Sequence, residues 1–184
     1  MRGRSLAASR WAAVQRVEHD IDLFLSIAEI AGVFVGFGTL ISFSRDLSVD
    51  ARAPLRGVVT TGLVVLVAAL LPVALGRYGF TDRTLWGWSS GGFLLITWIA
   101  ILGLLMDPED RARVKIDARA NPALTMFLGV FLELPIQVLL LLVLLGVAPT
   151  LAPAFYVTGL VLNLFEAAFV LARLVLARDL QSSS

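Results

Sequence analysis

The chain has no cysteine, one histidine and one lysine, and only 16% of its 184 residues are charged. Lacking cysteine, it can form no disulfide, no thiolate metal site and no cysteine nucleophile. The single lysine, Lys115, lies in a hydrophilic stretch, which excludes a retinal-type Schiff base within an apolar helix. No H-E-x-x-H, no paired histidines and no G-x-S-x-G occur, so zinc and serine hydrolase chemistries have no support. The net charge of +1 gives no field that would gather nucleic acid, and none is expected as a partner.

Hydrocarbon takes the place of the missing charge. Hydrophobic residues make up 58% of the chain, against roughly 45–50% apolar and about 25% charged in a soluble domain. A chain this small cannot hide that excess from water. The expected fold class is an all-α integral membrane protein, a bundle of about five transmembrane helices with a short N-terminal interfacial helix.

A helix needs about 20 mostly apolar residues to cross a hydrocarbon core of roughly 30 Å. Five stretches qualify: Ile21–Phe43, Val58–Gly76, Leu85–Met106, Ala123–Gly146 and Leu151 to about Ala177. Backbone groups in lipid must be satisfied within the segment, which favours helices over strands. Pro72 and Pro135 fall inside spans and predict kinks. A polar linker follows the first span, and residues 107–122 form the only hydrophilic loop of any size. Arg10 and Arg16 interrupt any apolar core of a signal peptide, so the first span is expected to be retained. Residues 5–19 predict a helix lying in the interface, with Trp11, Val14 and Val17 toward acyl chains and Arg10 and Arg16 at headgroups. The organisation is thus an interfacial segment 1–20, one transmembrane domain 21–178 and a tail 179–184. Trp86, Trp88 and Tyr78 suit membrane–water interfaces.

With five spans, nine basic residues fall on the side reached after the first, third and fifth helices, and six on the other. The positive-inside rule then puts the C-terminus in the cytoplasm, in a cell inner membrane. Arg2, Arg4, Arg10 and Arg16 in the N-terminal tail pull the other way.

Three carboxylates lie within the spans: Glu29, Glu133 and Glu166. An ionisable group at the bilayer centre costs at least a few kcal/mol, and functional use is the default reading. On the first span His19, Asp22, Ser26 and Glu29 follow at helical spacing on one face, continued by Gly32 or Val33 and then Gly36. On the fifth, Tyr156, Gly159, Asn163, Glu166, Val170 and Arg173 share a face; on the fourth, Thr125, Gly129, Glu133 and Gln137 do. Structural readings stand beside each. Asp22 at a helix start favours the macrodipole, and His19 suits an interface. A protonated glutamic acid can donate an interhelical hydrogen bond. Ala28, Gly32 and Gly36 fit the small-xxx-small pattern of close helix packing.

If the three faces converge, their oxygens suit hard cations or protons. In a subunit this small, a ring of acids would come from oligomerisation. The first functional reading is therefore a homo-oligomeric cation or proton channel, with the lipid bilayer as surroundings and no cofactor. Its pathway residues would be Glu29, Glu133, Glu166, Asn163, Gln137, Ser26, Asp22 and His19; residue types alone leave open whether a metal ion binds. An accessory or assembly subunit of a larger membrane complex is the second reading. A membrane-embedded lipid-modifying enzyme using Glu29 or Glu166 as acid or base is the third.

Ala28, Glu29, Phe34, Gly36 and Phe37 compose an A-E-x-x-x-x-F-x-G-F pattern in the first span. It resembles small bacterial multi-pass membrane proteins that carry this signature, and the similarity extends over roughly the first half of the chain. The resemblance implies that Glu29 and the glycines are a shared element. It implies no activity.

Overall fold

The computed structural model describes residues 2–43, 49–106 and 108–182, and every regular element among them is helical. They are α1 (Arg2–Ser42), α2 (Val49–Arg77), α3 (Asp82–Met106), α4 (Pro108–Ala120), α5 (Pro122–Met126), α6 (Leu134–Leu144) and α7 (Ala152–Ser182). A π-helical segment, Phe127–Glu133, joins α5 to α6, and a 3-10 turn, Pro149–Leu151, leads into α7. Five stretches are long and apolar enough to cross a membrane: Ile21–Ser42, Pro54–Arg77, Asp82–Met106, Pro122–Leu144 and Pro149–Leu176. The outer surface of these spans is mostly leucine, valine, isoleucine and aromatic rings, far more apolar patch than a soluble monomer exposes. The protein is a multi-pass, all-helical membrane bundle.

Two parts of the sequence reading change. Residues 5–19 do not form a separate helix: α1 continues without a break from Arg2 into the first span. The hydrophilic stretch expected as a loop is the helix α4. It is tied back by Arg111, whose Nε and Nη2 donate to the Leu105 carbonyl at 2.9 and 2.5 Å. Leu105 lies in the last turn of α3, where carbonyls lack helical partners.

α2, α3, α6 and α7 form a closed ring of neighbours, each packed on the next; α1 lies outside this ring against α2, touching α7 only lightly. We call the end of the bundle holding Ile21 and the α2–α3 and α6–α7 turns the N-face, and the opposite end the C-face. Both N-face turns use the same device. Gly79 and Gly146 adopt left-handed backbone, at φ 85° and 72°. In each, the next residue's N–H reaches back five residues, Phe80 to Leu75 at 3.2 Å and Val147 to Leu142 at 2.9 Å. This is the Schellman arrangement, and it satisfies carbonyls that hydrocarbon would otherwise strand.

Close packing of α1 on α2 rests on two glycines outside the expected triplet. A Cβ at Gly62 would lie 2.8 Å from Val35 Cγ2 and 3.4 Å from the Ala31 carbonyl, and one at Gly38 would lie 2.5 Å from Val59 Cγ2. Ala28 is buried and a Cβ at Gly32 would meet Leu66 Cδ1 at 3.7 Å, so both belong to the contact. A Cβ at Gly36 would meet nothing within 4 Å, so packing does not require glycine there.

The ring is pinned by a proline. Pro72 lies within α2 and has no N–H, which leaves the Ala68 carbonyl without its helical donor. The Tyr156 hydroxyl of α7 supplies one at 2.7 Å, fully buried. Around it, Trp86, Phe93 and Phe24 place their ring centroids 5.7, 5.7 and 6.1 Å from that of Tyr156. This cluster gathers α1, α3 and α7 near the N-face.

Two stability outcomes follow. Tyr156→Phe leaves the Ala68 carbonyl unpaired, a loss of about 1–3 kcal/mol, read as a lower unfolding midpoint in detergent. Gly62→Val overpacks the α1–α2 seam and costs a similar ~1–3 kcal/mol, whereas Gly36→Ala leaves the midpoint in place. A Gly36→Ala variant as damaged as Gly62→Val would contradict the seam described here.

Candidate functional site

The fourth span does not simply kink at Pro135. A proline ring strikes the carbonyl four residues earlier and cannot bond to it, here that of Phe131. The helix answers by widening: the Leu134 N–H donates to Gly129, five residues back, and Phe127–Glu133 takes the π pattern. Such bulges are rare and recur at functional sites. Glu133 is the last residue of this one.

Glu133 is half-buried, and the Gln137 amide, one turn on, donates to its Oε1 at 2.5 Å. Glu166 on α7 is half-buried as well, and α7 packs against the turn that ends at Glu133. Contacts on either side fix this meeting. A Cβ at Gly159 would lie 3.7 Å from Leu140 Cδ2 toward the N-face, and Phe127 meets Phe169 at 5.6 Å toward the C-face. Both contacts fit one antiparallel register, and the two glutamates stand opposite one another in it. The fourth and fifth spans therefore bring together Glu133, Gln137 and Glu166, with Asn163 one turn from Glu166.

Asn163 is buried, and its side-chain Nδ2 has no hydrogen-bonding partner within the protein. Three hydroxyls of α3, those of Ser89, Ser90 and Thr97, are in the same condition. None of the four residues is more than 5% exposed, and each unmade bond of this kind costs about 1–3 kcal/mol. The α3 hydroxyls carry no sequence signal of their own, because serine and threonine in a helix ordinarily bond to their own backbone. Only their spacing about the inward Phe93 could have exposed them.

The first span contributes nothing to this cluster within one chain. Phe24, Ile27, Ala28 and Ala31 form the buried face of α1, and Asp22, Ser26 and Glu29 are exposed on the opposite side. His19 belongs to α1, but its side chain lies outside the described residues. The three polar faces therefore do not converge in a single protomer: two do, and the third looks outward. Glu29 stands eight residues into the Ile21–Ser42 span, about 12 Å along the helix axis, on a surface that is otherwise mostly hydrocarbon.

Chemically, the pair offers two carboxylates and two side-chain amides in a low-dielectric setting. No group of three or more histidine, aspartate or glutamate side chains gathers among the described residues, so a metal ion here would have few charged ligands. Compared with protein-family models, curated proteins and solved structures, the chain finds no match in any of the three.

Proposed function

We propose that this protein moves protons, or small cations, across a cell inner membrane, with Glu133 and Glu166 as the exchange site at the heart of each protomer. The single observation that carries the reading is that two half-buried carboxylates stand opposite one another in the register of the fourth and fifth spans, beside a π-helical turn that moves one of them out of ordinary helical register. Ionisable side chains within spans mark ion and proton paths more often than they serve packing. Gln137 holds Glu133 by its Oε1 and leaves the other oxygen for exchange. The C-face, where α4 and its basic residues lie, faces the cytoplasm in this reading.

Asp22, Ser26 and Glu29 enter the path only through another copy. Copies joined along the outer face of α1 would surround an acidic mouth, with Val33 and Leu40 forming apolar rings below it. The same outward face favours one other reading, an assembly subunit whose α1 docks on a larger membrane complex.

Flux from the purified protein in liposomes separates the two. The expected result is proton or monovalent-cation flux from the single species, reduced to the level of empty vesicles by Glu133→Gln or Glu166→Gln with the elution profile unchanged. Glu29→Gln should alter the oligomer seen by native mass spectrometry. Silent vesicles for the wild-type chain, with a monomer in detergent, would favour the assembly subunit.

A further inference from the structure

Several helical hydroxyls fold back on their own helix: Thr39 donates to Val35 at 2.7 Å and Thr158 to Ala154 at 2.8 Å. Ser89, Ser90 and Thr97 are buried and make no such bond, which leaves three inward hydroxyls on one helix with their hydrogen-bonding capacity unmet.

Their positions form a line. Phe93 meets Tyr156 ring to ring at 5.7 Å and would touch a Cβ at Gly159 at 3.6 Å, which fixes the facing sides of α3 and α7. These helices run in the same direction, so one turn past that contact Thr97 stands across from Asn163. Both groups are buried, and neither bonds the other or any protein atom. One further turn along α7 is Glu166. In the other direction Ser90 precedes Phe93 on the same face of α3, with Ser89 beside it and the Trp86–Tyr156–Phe24 rings beyond.

We infer that a file of water threads the interior of each protomer, from the Glu133–Glu166 pair past Asn163 and Thr97 to Ser90 and Ser89, and that its cargo is the proton. Buried polar groups without protein partners are the usual lining of internal water, which takes about three hydrogen bonds from its site. Hydroxyls and amides of this kind both give and accept hydrogen bonds. A proton handed from a glutamic acid to the first water leaves a carboxylate behind, and each water passes one proton on as it accepts one. A metal ion on the same route would meet no charged ligand beyond Glu166 and lose most of its shell of oxygens. The Phe93–Tyr156 contact stands between Thr97 and Ser90 in this file, so those two rings are the gate. The inference rests on the functional reading above for its cargo, but the water file stands or falls on its own.

The natural absence of cysteine allows a direct test in the full-length protein in liposomes. Ser90→Cys and Thr97→Cys are treated with silver ion, which is close to water in size, then denatured and labelled with a maleimide. Both should be protected from labelling, whereas Leu160→Cys in the apolar core and Leu95→Cys on the outer surface should label fully. Thr97→Val, equal in shape but without the hydroxyl, should slow proton flux several-fold, and Thr97→Ser should retain it. Protection of Ser90→Cys and Thr97→Cys no greater than that of Leu160→Cys overturns the water file, even if the Glu133 and Glu166 variants abolish flux. Protected cysteines in a wild-type protein that shows no flux would keep the water and remove the transport reading.

Discussion

A carbonyl that loses its helical donor inside hydrocarbon must find another, and the Ala68 carbonyl freed by Pro72 finds the hydroxyl of Tyr156. The fold hangs on this obligation more than on any apolar contact. In a bilayer, lipid tails serve a leucine about as well as a neighbouring helix does, so apolar burial fixes little. A directional bond between residues 88 positions apart fixes both the azimuth and the height of α7 against α2. Once Tyr156 is set, helical spacing alone sets Gly159 under Phe93, Asn163 inside the ring and Glu166 toward the fourth span.

The second proline acts on the other half of the site. Pro135 opens the fourth span into the π pattern that ends at Glu133, so two prolines on different spans each help place one wall of the acidic pair. Carboxylates within the bilayer are thereby of two kinds. Glu133 and Glu166 are half-buried on facing spans, and Gln137 bonds to the first of them. Glu29 lies on the far side of α1 from every packed residue of that helix. The pair lies within the bundle of this chain, and the third acid lies on its outer surface.

Much of the fold was legible from residue types, because the length of an apolar run is itself the physical requirement for crossing a membrane. The span read as Val58–Gly76 is Pro54–Arg77, and that read as Leu85–Met106 is Asp82–Met106. Azimuth was not legible. In a soluble helix the polar face turns outward, but α1 is apolar on both sides, and its Asp22, Ser26 and Glu29 stripe could have pointed either way. The α4 helix was hidden because polarity reads as loop when nothing apolar marks a face, and its tie, Arg111 to Leu105, spans a helix break. Small-residue spacing pointed to Ala28, Gly32 and Gly36, whereas the positions with least room for a side chain are Gly38 and Gly62, which that spacing does not mark. The acidic pair was half visible: both residues could be named, but their meeting depends on an antiparallel register that only packing supplies.

The π-helical turn has one further consequence. A bulge of this kind is one surplus residue that the helix has absorbed, and one residue turns whatever lies beyond it by about 100° about the helix axis. The azimuth of Glu133 relative to the start of the fourth span is therefore set by Pro135, two positions further on, and not by anything the carboxylate itself touches.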